Sequence, residues 1–152
     1  HDIYEARQIV EVGAVRLAAT RARPEDLDAL DRIIGSMERA RHEDKTFWPL
    51  TVEFHRQLVR ASHNTTLISL SQVISRLVTV HQMPVYRSIV DTGEALAEHR
   101  RLLEVLKVRD PEQAGNAMAS HLDQSDRRRV GASEPVGEAP GRADAGGPGP
   151  AA

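Results

Sequence analysis

The sequence predicts an all-α protein, an antiparallel bundle of six to seven helices around a central ligand cavity. Apolar residues recur at steps of three and four, as in Leu27, Leu30, Ile34 and Met37 or Leu96, Leu103 and Leu106, the spacing that lines up one face of a helix. Strand-like alternation of apolar and polar residues is absent. Helix-start signals recur along the chain, each putting a side-chain acceptor where the N–H groups of a first turn lack an intrahelical partner.

Asp2 with Glu5 reads as a capping box that opens a helix over 3–22, and Pro24 ahead of Glu25 and Asp26 opens a second over 25–42. Phe47 and Trp48 before Pro49 read as a hydrophobic anchor at the start of a third over 47–62, which leaves through Ala61-Ser62-His63. Asn64 caps a fourth over 65–83, with Pro84 breaking or kinking it from a short fifth over 85–90. Asp91 with Glu94 opens a sixth over 93–109. Asp110-Pro111-Glu112-Gln113, with an acid at the cap and proline at the first helical position, opens a seventh over 111–129. From Gly131 onward Gly, Ala, Pro and acidic residues dominate, a composition unable to repay the entropy of ordering. The chain therefore divides into a helical domain over 1–130 and an expected disordered tail over 131–152.

A chain of 152 residues with 40% hydrophobic residues suffices for one core. Without cysteine there is no disulfide framework, thiolate site or cysteine nucleophile, which suits the reducing cytoplasm expected as its location. A formal charge of −2 lacks the basic excess by which a domain grips nucleic acid, so DNA binding by this segment alone is not expected. No apolar run is long enough to span a bilayer, so no membrane partner is expected. Because the chain begins at His1, inside a helical pattern, it reads as a piece of a longer protein.

Seven histidines occur, and four of them, His1, His42, His63 and His81, lie at helix ends or boundaries as ordinary surface or boundary residues. The other three read as inward-facing. His99 lies among Leu96, Leu102, Leu103 and Leu106; His121 follows Ala114, Ala117 and Met118; His55 is flanked by Val52, Leu58 and Val59, with Thr51 one turn earlier. Each neutral ring buried separately needs a partner for both nitrogens, whereas one divalent ion accepts a lone pair from all three. Imidazoles suit zinc or nickel foremost, and also iron or copper. Three protein ligands leave open positions for water or a ligand oxygen. Convergence of the three rings in space is at this point an expectation.

The order of these features resembles that of a known family. Asp2-Ile3-Tyr4-Glu5-Ala6-Arg7 with Glu11, Phe54-His55-Arg56-Gln57-Leu58 leading to Ala61-Ser62-His63-Asn64, Glu98-His99-Arg100 leading to Arg109-Asp110-Pro111, then Ala117-Met118 and His121-Leu122 together resemble the FCD domain, the effector-binding half of FadR-type GntR transcription regulators. The resemblance implies a helical bundle whose cavity binds a small carboxylate metabolite. It also implies a divalent metal held by histidines at the positions of His55, His99 and His121 and by an aspartate at position 51. Here position 51 is Thr51, and Glu53 does not replace the aspartate, since two residues turn a helix by about 200°. The resemblance further implies a homodimer, and DNA binding only through a winged helix-turn-helix that does not precede the domain in this sequence.

Arg7 is the candidate effector-binding residue, because a guanidinium fork matches a carboxylate; the alternative is a surface pair with Glu11, one turn away. Arg127, Arg128 and Arg129 read as cations favoured by the dipole of a last helical turn. The rival function is a metal-dependent hydrolase using the three histidines, but no HExxH pair, nucleophile elbow or phosphate loop supports it. Its general base would be Glu98, one helix step off the inward face. The reading is of a non-enzymatic sensor domain.

Overall fold

The computed structural model describes residues 1–133. Seven α-helices follow one another: α1 (Asp2–Arg21), α2 (Pro24–Arg39), α3 (Asp44–Arg60), α4 (Thr65–Leu77), α5 (Met83–Ile89), α6 (Thr92–Lys107) and α7 (Pro111–Ser133), with a π-helical turn, Val78–Gln82, joining α4 to α5. No strand occurs among the described residues. The expected disordered tail lies outside them, apart from its first three positions, where α7 simply runs on to Ser133.

Three of the expected caps close as the sequence indicates. Asn64 Oδ1 accepts from the backbone of Thr66 and Leu67, Asp91 Oδ1 from Gly93 and Glu94, and Asp110 Oδ1 from Glu112 and Gln113. The first does not. Asp2 is already helical and His1, in the cap position, makes no side-chain cap bond; Glu5 pairs with the His1 ring instead. Two proline effects also differ from expectation. The helix expected from 47 starts at Asp44, and Pro49 lies inside it on an exposed edge, where the carbonyl that loses its donor meets water. Pro84 lies in the first turn of α5, where its missing N–H has no intrahelical partner to lose, and the interruption expected of it falls earlier, at the π-turn that follows α4.

At the centre lies α1, which touches α3, α4, α6 and α7, with its longest contact along α7. Ala14, Ala18 and Ala19 are fully buried, and such small side chains let the neighbouring backbones approach closely. Phe47, Phe54, Leu30, Met37, Leu58, Leu106, Met118 and Leu122 fill the rest of the core. Phe47 and Trp48 pack edge to face at 5.3 Å, the anchor expected of them. Two non-glycine residues adopt left-handed backbone, His63 (φ 50°) after α3 and Arg109 (φ 65°) after α6. Each is tied down: His63 Nε2 lies 2.7 Å from Asp26, and Arg109 Nη1 donates to the Ala22 carbonyl. Among the described residues no helix is long and apolar enough to cross a membrane.

A cluster of three histidines and its two Arg-Glu supports

The bundle is hollow where α1, α3, α4, α5, α6 and α7 meet, and His55, His99 and His121 project into that cavity. Their ring centroids are 5.1 to 5.3 Å apart, and one ring nitrogen from each lies within 4.8 Å of the others. All three are buried, at 9%, 4% and 8% exposure, so the inward facing read from helical spacing holds for each.

The hydrogen bonds around the cluster fix how each ring is protonated. His55 Nδ1 lies 2.7 Å from Glu11 Oε2, His121 Nδ1 lies 3.1 Å from Glu98 Oε2, and His99 Nδ1 lies 2.5 Å from the Ala95 carbonyl. Ionised carboxylates and carbonyls only accept, so each ring donates from Nδ1 and leaves Nε2 as a bare lone pair. The consequence is an unfinished arrangement. The Nε2 atoms of His55 and His121 face each other at 3.2 Å, two acceptors once both rings donate from Nδ1, and His99 Nε2 is buried without any partner. Burial pushes the pKa of His55 down to about 4 and, aided by the neighbouring His121, that of His99 to about 3; His121 is lowered as well, again chiefly by burial. A divalent ion fits this donor set, because it would complete the His99 Nε2 that no protein group satisfies together with the facing Nε2 atoms of His55 and His121, while the partners on Nδ1 are the outer shell by which metal-binding histidines are held.

Reasoning from the sequence named Glu11 only as a surface partner of Arg7 and Glu98 only as the general base of the rival reading, and gave neither its place as a support of the cluster. Glu11 is only 4% exposed and receives the Arg7 Nε at 2.7 Å, while Arg7 Nη2 lies 3.3 Å from His55 Nδ1. Burial alone would raise the Glu11 pKa, but Arg7 and His55 outweigh it and hold the carboxyl well below the ordinary carboxylate range. The surface pair that was the alternative for Arg7 is thus a pair, but a buried one at the wall of the cavity. Glu98 is the second support. Its position one step off the inward face, which counted against it, is what aims it across at α7, where it meets His121 on one oxygen and Arg128 Nη2, at 2.5 Å, on the other. Burial again raises and these two partners lower, leaving its pKa at about 2. Arg128 is therefore more than a favourable end charge, whereas Arg127 pairs with Asp123 on the exposed side. Two of the three histidines are thus held by an Arg-Glu pair, one deep and one at the rim.

Thr51 is buried at the cavity wall, but its hydroxyl donates 2.8 Å back to the Trp48 carbonyl, and among the described residues the cluster of metal-ligating side chains is the three histidines alone. Glu53 faces away, as expected, and pairs with Arg56 and Arg60. Trp48, Tyr86 and Ser75 also line the cavity, and the Trp48 indole N–H is buried without a partner. Helical spacing gave no signal for Tyr86, which lies beyond the π-turn.

Comparison with known proteins agrees with this architecture. An HTH-type transcriptional regulator of Bacillus subtilis, YdhC, is 30% identical over 125 residues, covering 80% of this chain and 56% of the relative. The galactonate operon transcriptional repressor of Escherichia coli is 26% identical over 125 residues, covering 82% and 55%. The chain thus spans about half the length of the curated relatives it matches. Among solved structures, a GntR protein of Streptococcus agalactiae superposes with a TM-score of 0.70 at 28% identity, over 83% of this chain and 57% of that one. The McbR/YncC protein of E. coli shares the fold, with a TM-score of 0.70 at 19% identity over 86% and 67%. The FCD domain model matches residues 2–124, nearly all of the described bundle, and the chain belongs to the FCD domain family, the effector-binding regulatory domain of GntR-type regulators.

Proposed function

We infer that this domain senses a small carboxylate metabolite through a divalent metal, zinc or nickel foremost, held by His55, His99 and His121. The observation that carries the reading is the set of three inward Nε2 lone pairs, one of them buried with no partner. An ion on three neutral ligands supplies a dipositive centre with open positions, which favours an anionic oxygen donor. Arg7 is the second carboxylate-binding candidate, since Glu11 and Tyr86 engage only part of its five N–H donors. The galactonate operon repressor is by its name linked to a carboxylate, which agrees with this ligand class. Relatives that are transcriptional regulators also favour sensing over hydrolysis, and in the intact protein DNA would be read by a separate winged helix-turn-helix.

The test is to load the purified domain with zinc or nickel, measure metal per chain, and screen carboxylates by thermal shift. About one ion per chain is expected, with stabilisation of about 2.7 kcal/mol by a carboxylate at a hundred times its Kd. Absence of metal uptake would overturn the reading, and stabilisation that survives chelation undiminished would assign the ligand to Arg7 alone. Thr51→Asp is expected to tighten zinc binding, because a residue four positions before His55 shares its face and would add an anionic donor. It is also expected to weaken the carboxylate, by competition and like charge. Both are read by zinc titration followed by ligand titration of the loaded protein; unchanged zinc affinity would remove position 51 from the site.

A homodimer is the assembly this reading carries. Leu70, Val73, Leu77 and Val80 are 47%, 60%, 40% and 65% exposed along one line of α4 and the π-turn. Arg76 is the single charged residue of α4, and antiparallel pairing centred on Ser75 would set Leu70 against Val80 and Val73 against Leu77 in a second copy. Light scattering should give a dimer for the native chain and a monomer for Val73→Glu; equal masses would exclude this face.

A further inference from the structure

We propose that Trp48 is the specificity-determining residue of the histidine cavity: its indole N–H donates to a second oxygen of the bound acid, and the cavity selects an oxo acid over a polyhydroxylated one. Three buried side-chain atoms among the described residues have no hydrogen-bond partner, His99 Nε2, Trp48 Nε1 and Gln82 Oε1, and the first two belong to side chains that line the cavity. The histidine atom is the acceptor already given to the metal. Trp48 is 4% exposed, and its N–H can only donate. Buried polar groups are nearly always paired, so a ligand acceptor is the partner this donor lacks. Trp48 precedes His55 by seven residues, two turns of α3, which puts both on one face of the helix with Thr51 between them. Thr51 does not compete for the ligand, since its hydroxyl donates back to the Trp48 carbonyl.

The other polar groups of the cavity divide unevenly into donors and acceptors. Arg7 keeps N–H groups beyond those that Glu11 and Tyr86 engage, so unused donors stand on both α1 and α3. The acceptors are largely taken. Glu11 receives Arg7 on one oxygen and His55 on the other, and Glu98 receives Arg128 and His121 in the same way. The hydroxyls of Ser75 and Ser125 are left to accept, and the rest of the wall is apolar, with Val52, Val78, Met83, Val90 and Ala95. A sugar acid carries a hydroxyl on nearly every carbon, and each one buried here without an acceptor keeps its full desolvation penalty. An oxo acid brings a carboxylate and a carbonyl, which accept and do not donate, and an alkyl remainder that suits the apolar wall. The assignment rests on the carboxylate-sensing reading and names its ligand class.

Three acids of equal heavy-atom count test it: 2-oxobutyrate, 2-methylbutyrate, which has a methyl in place of the oxo oxygen, and glycerate, which has two hydroxyls. Each is titrated calorimetrically into the zinc-loaded and the metal-free domain. The native chain should bind 2-oxobutyrate about fivefold more tightly than 2-methylbutyrate and about tenfold more tightly than glycerate. Trp48→Phe, which keeps an aromatic ring and removes the N–H, should weaken 2-oxobutyrate about fivefold and change 2-methylbutyrate by less than about twofold. A preference for the oxo acid that persists in Trp48→Phe would place the second oxygen on the metal or on Arg7, and equal weakening of both acids would make Trp48 a packing residue; either overturns the assignment. Glycerate bound as tightly as 2-oxobutyrate overturns the oxo-acid class. If Trp48→Phe does not fold, the native chain decides through its sole tryptophan, whose emission should move to longer wavelength with 2-oxobutyrate and not with 2-methylbutyrate; identical spectra overturn the assignment. These outcomes leave carboxylate sensing standing. Binding of none of the three acids, with or without zinc, also overturns the assignment, and the wider carboxylate screen then decides the sensing reading by itself.

Discussion

His99→Leu is expected to raise the melting temperature of the metal-free domain and to abolish its stabilisation by zinc. In the native protein His99 Nε2 is buried with no partner, and a stranded polar atom of this kind costs about 1–3 kcal/mol. Leucine removes that atom and fills a similar volume. The lost Nδ1 bond to Ala95 leaves no new orphan, because that carbonyl also accepts the backbone N–H one turn on within α6. The edge-on contact with Phe54 at 5.0 Å becomes an aliphatic one, which offsets part of the gain. The balance is a gain of about 1 kcal/mol, or roughly 2–4 °C for a chain of this length. With zinc the sign reverses, since an outer-shell partner is already worth about 10–100-fold in affinity and a direct donor more. Calorimetry with and without zinc separates the two. A lower melting temperature without metal, together with an unchanged zinc shift, would make His99 an ordinary core residue.

Glu11→Leu is expected to destabilise the domain by about 3–5 kcal/mol, the cost of leaving a buried guanidinium uncompensated. The same substitution removes the acceptor of His55 Nδ1, so zinc affinity should fall about 10–100-fold through the orientation of the ring. Replacing both partners, Arg7→Met with Glu11→Leu, should recover most of the stability, because paired removal strands no charge. It should not recover zinc affinity, since His55 still lacks its carboxylate. Urea unfolding at unchanged m value gives the first quantity and competition with a chelator the second. A double variant no more stable than Glu11→Leu would show that the pair contributes through packing rather than charge.

Those two residues mark how far the site was legible in the sequence. The histidines were legible because each lies at three- and four-residue spacing from apolar neighbours on its own helix, and the caps at Asn64, Asp91 and Asp110 because they act within three residues. Glu11 and Glu98 carried no such signal. Glu11 read as a surface partner of Arg7, since an i,i+4 pair has the same spacing whether its face meets water or another helix. Glu98 read as off the inward face, which assumed a single core direction; α6 in fact meets α7 on that flank. The start of α3 was misjudged for a related reason, since the cost of a proline depends on whether water receives the group it leaves unpaired.

The sequence by itself determined the helical class, the order of the helices and the three inward histidines, because these follow from periodicity and capping, interactions that reach no further than a turn or two. Tertiary structure alone decided that the three rings share one cavity, that each turns a bare Nε2 inward, and that two of them are held by Arg-Glu pairs of unequal burial. A ring's tautomer is set by whatever accepts from its other nitrogen. For His55 that acceptor comes from α1 and for His121 from α6, so it exists only once the helices have packed.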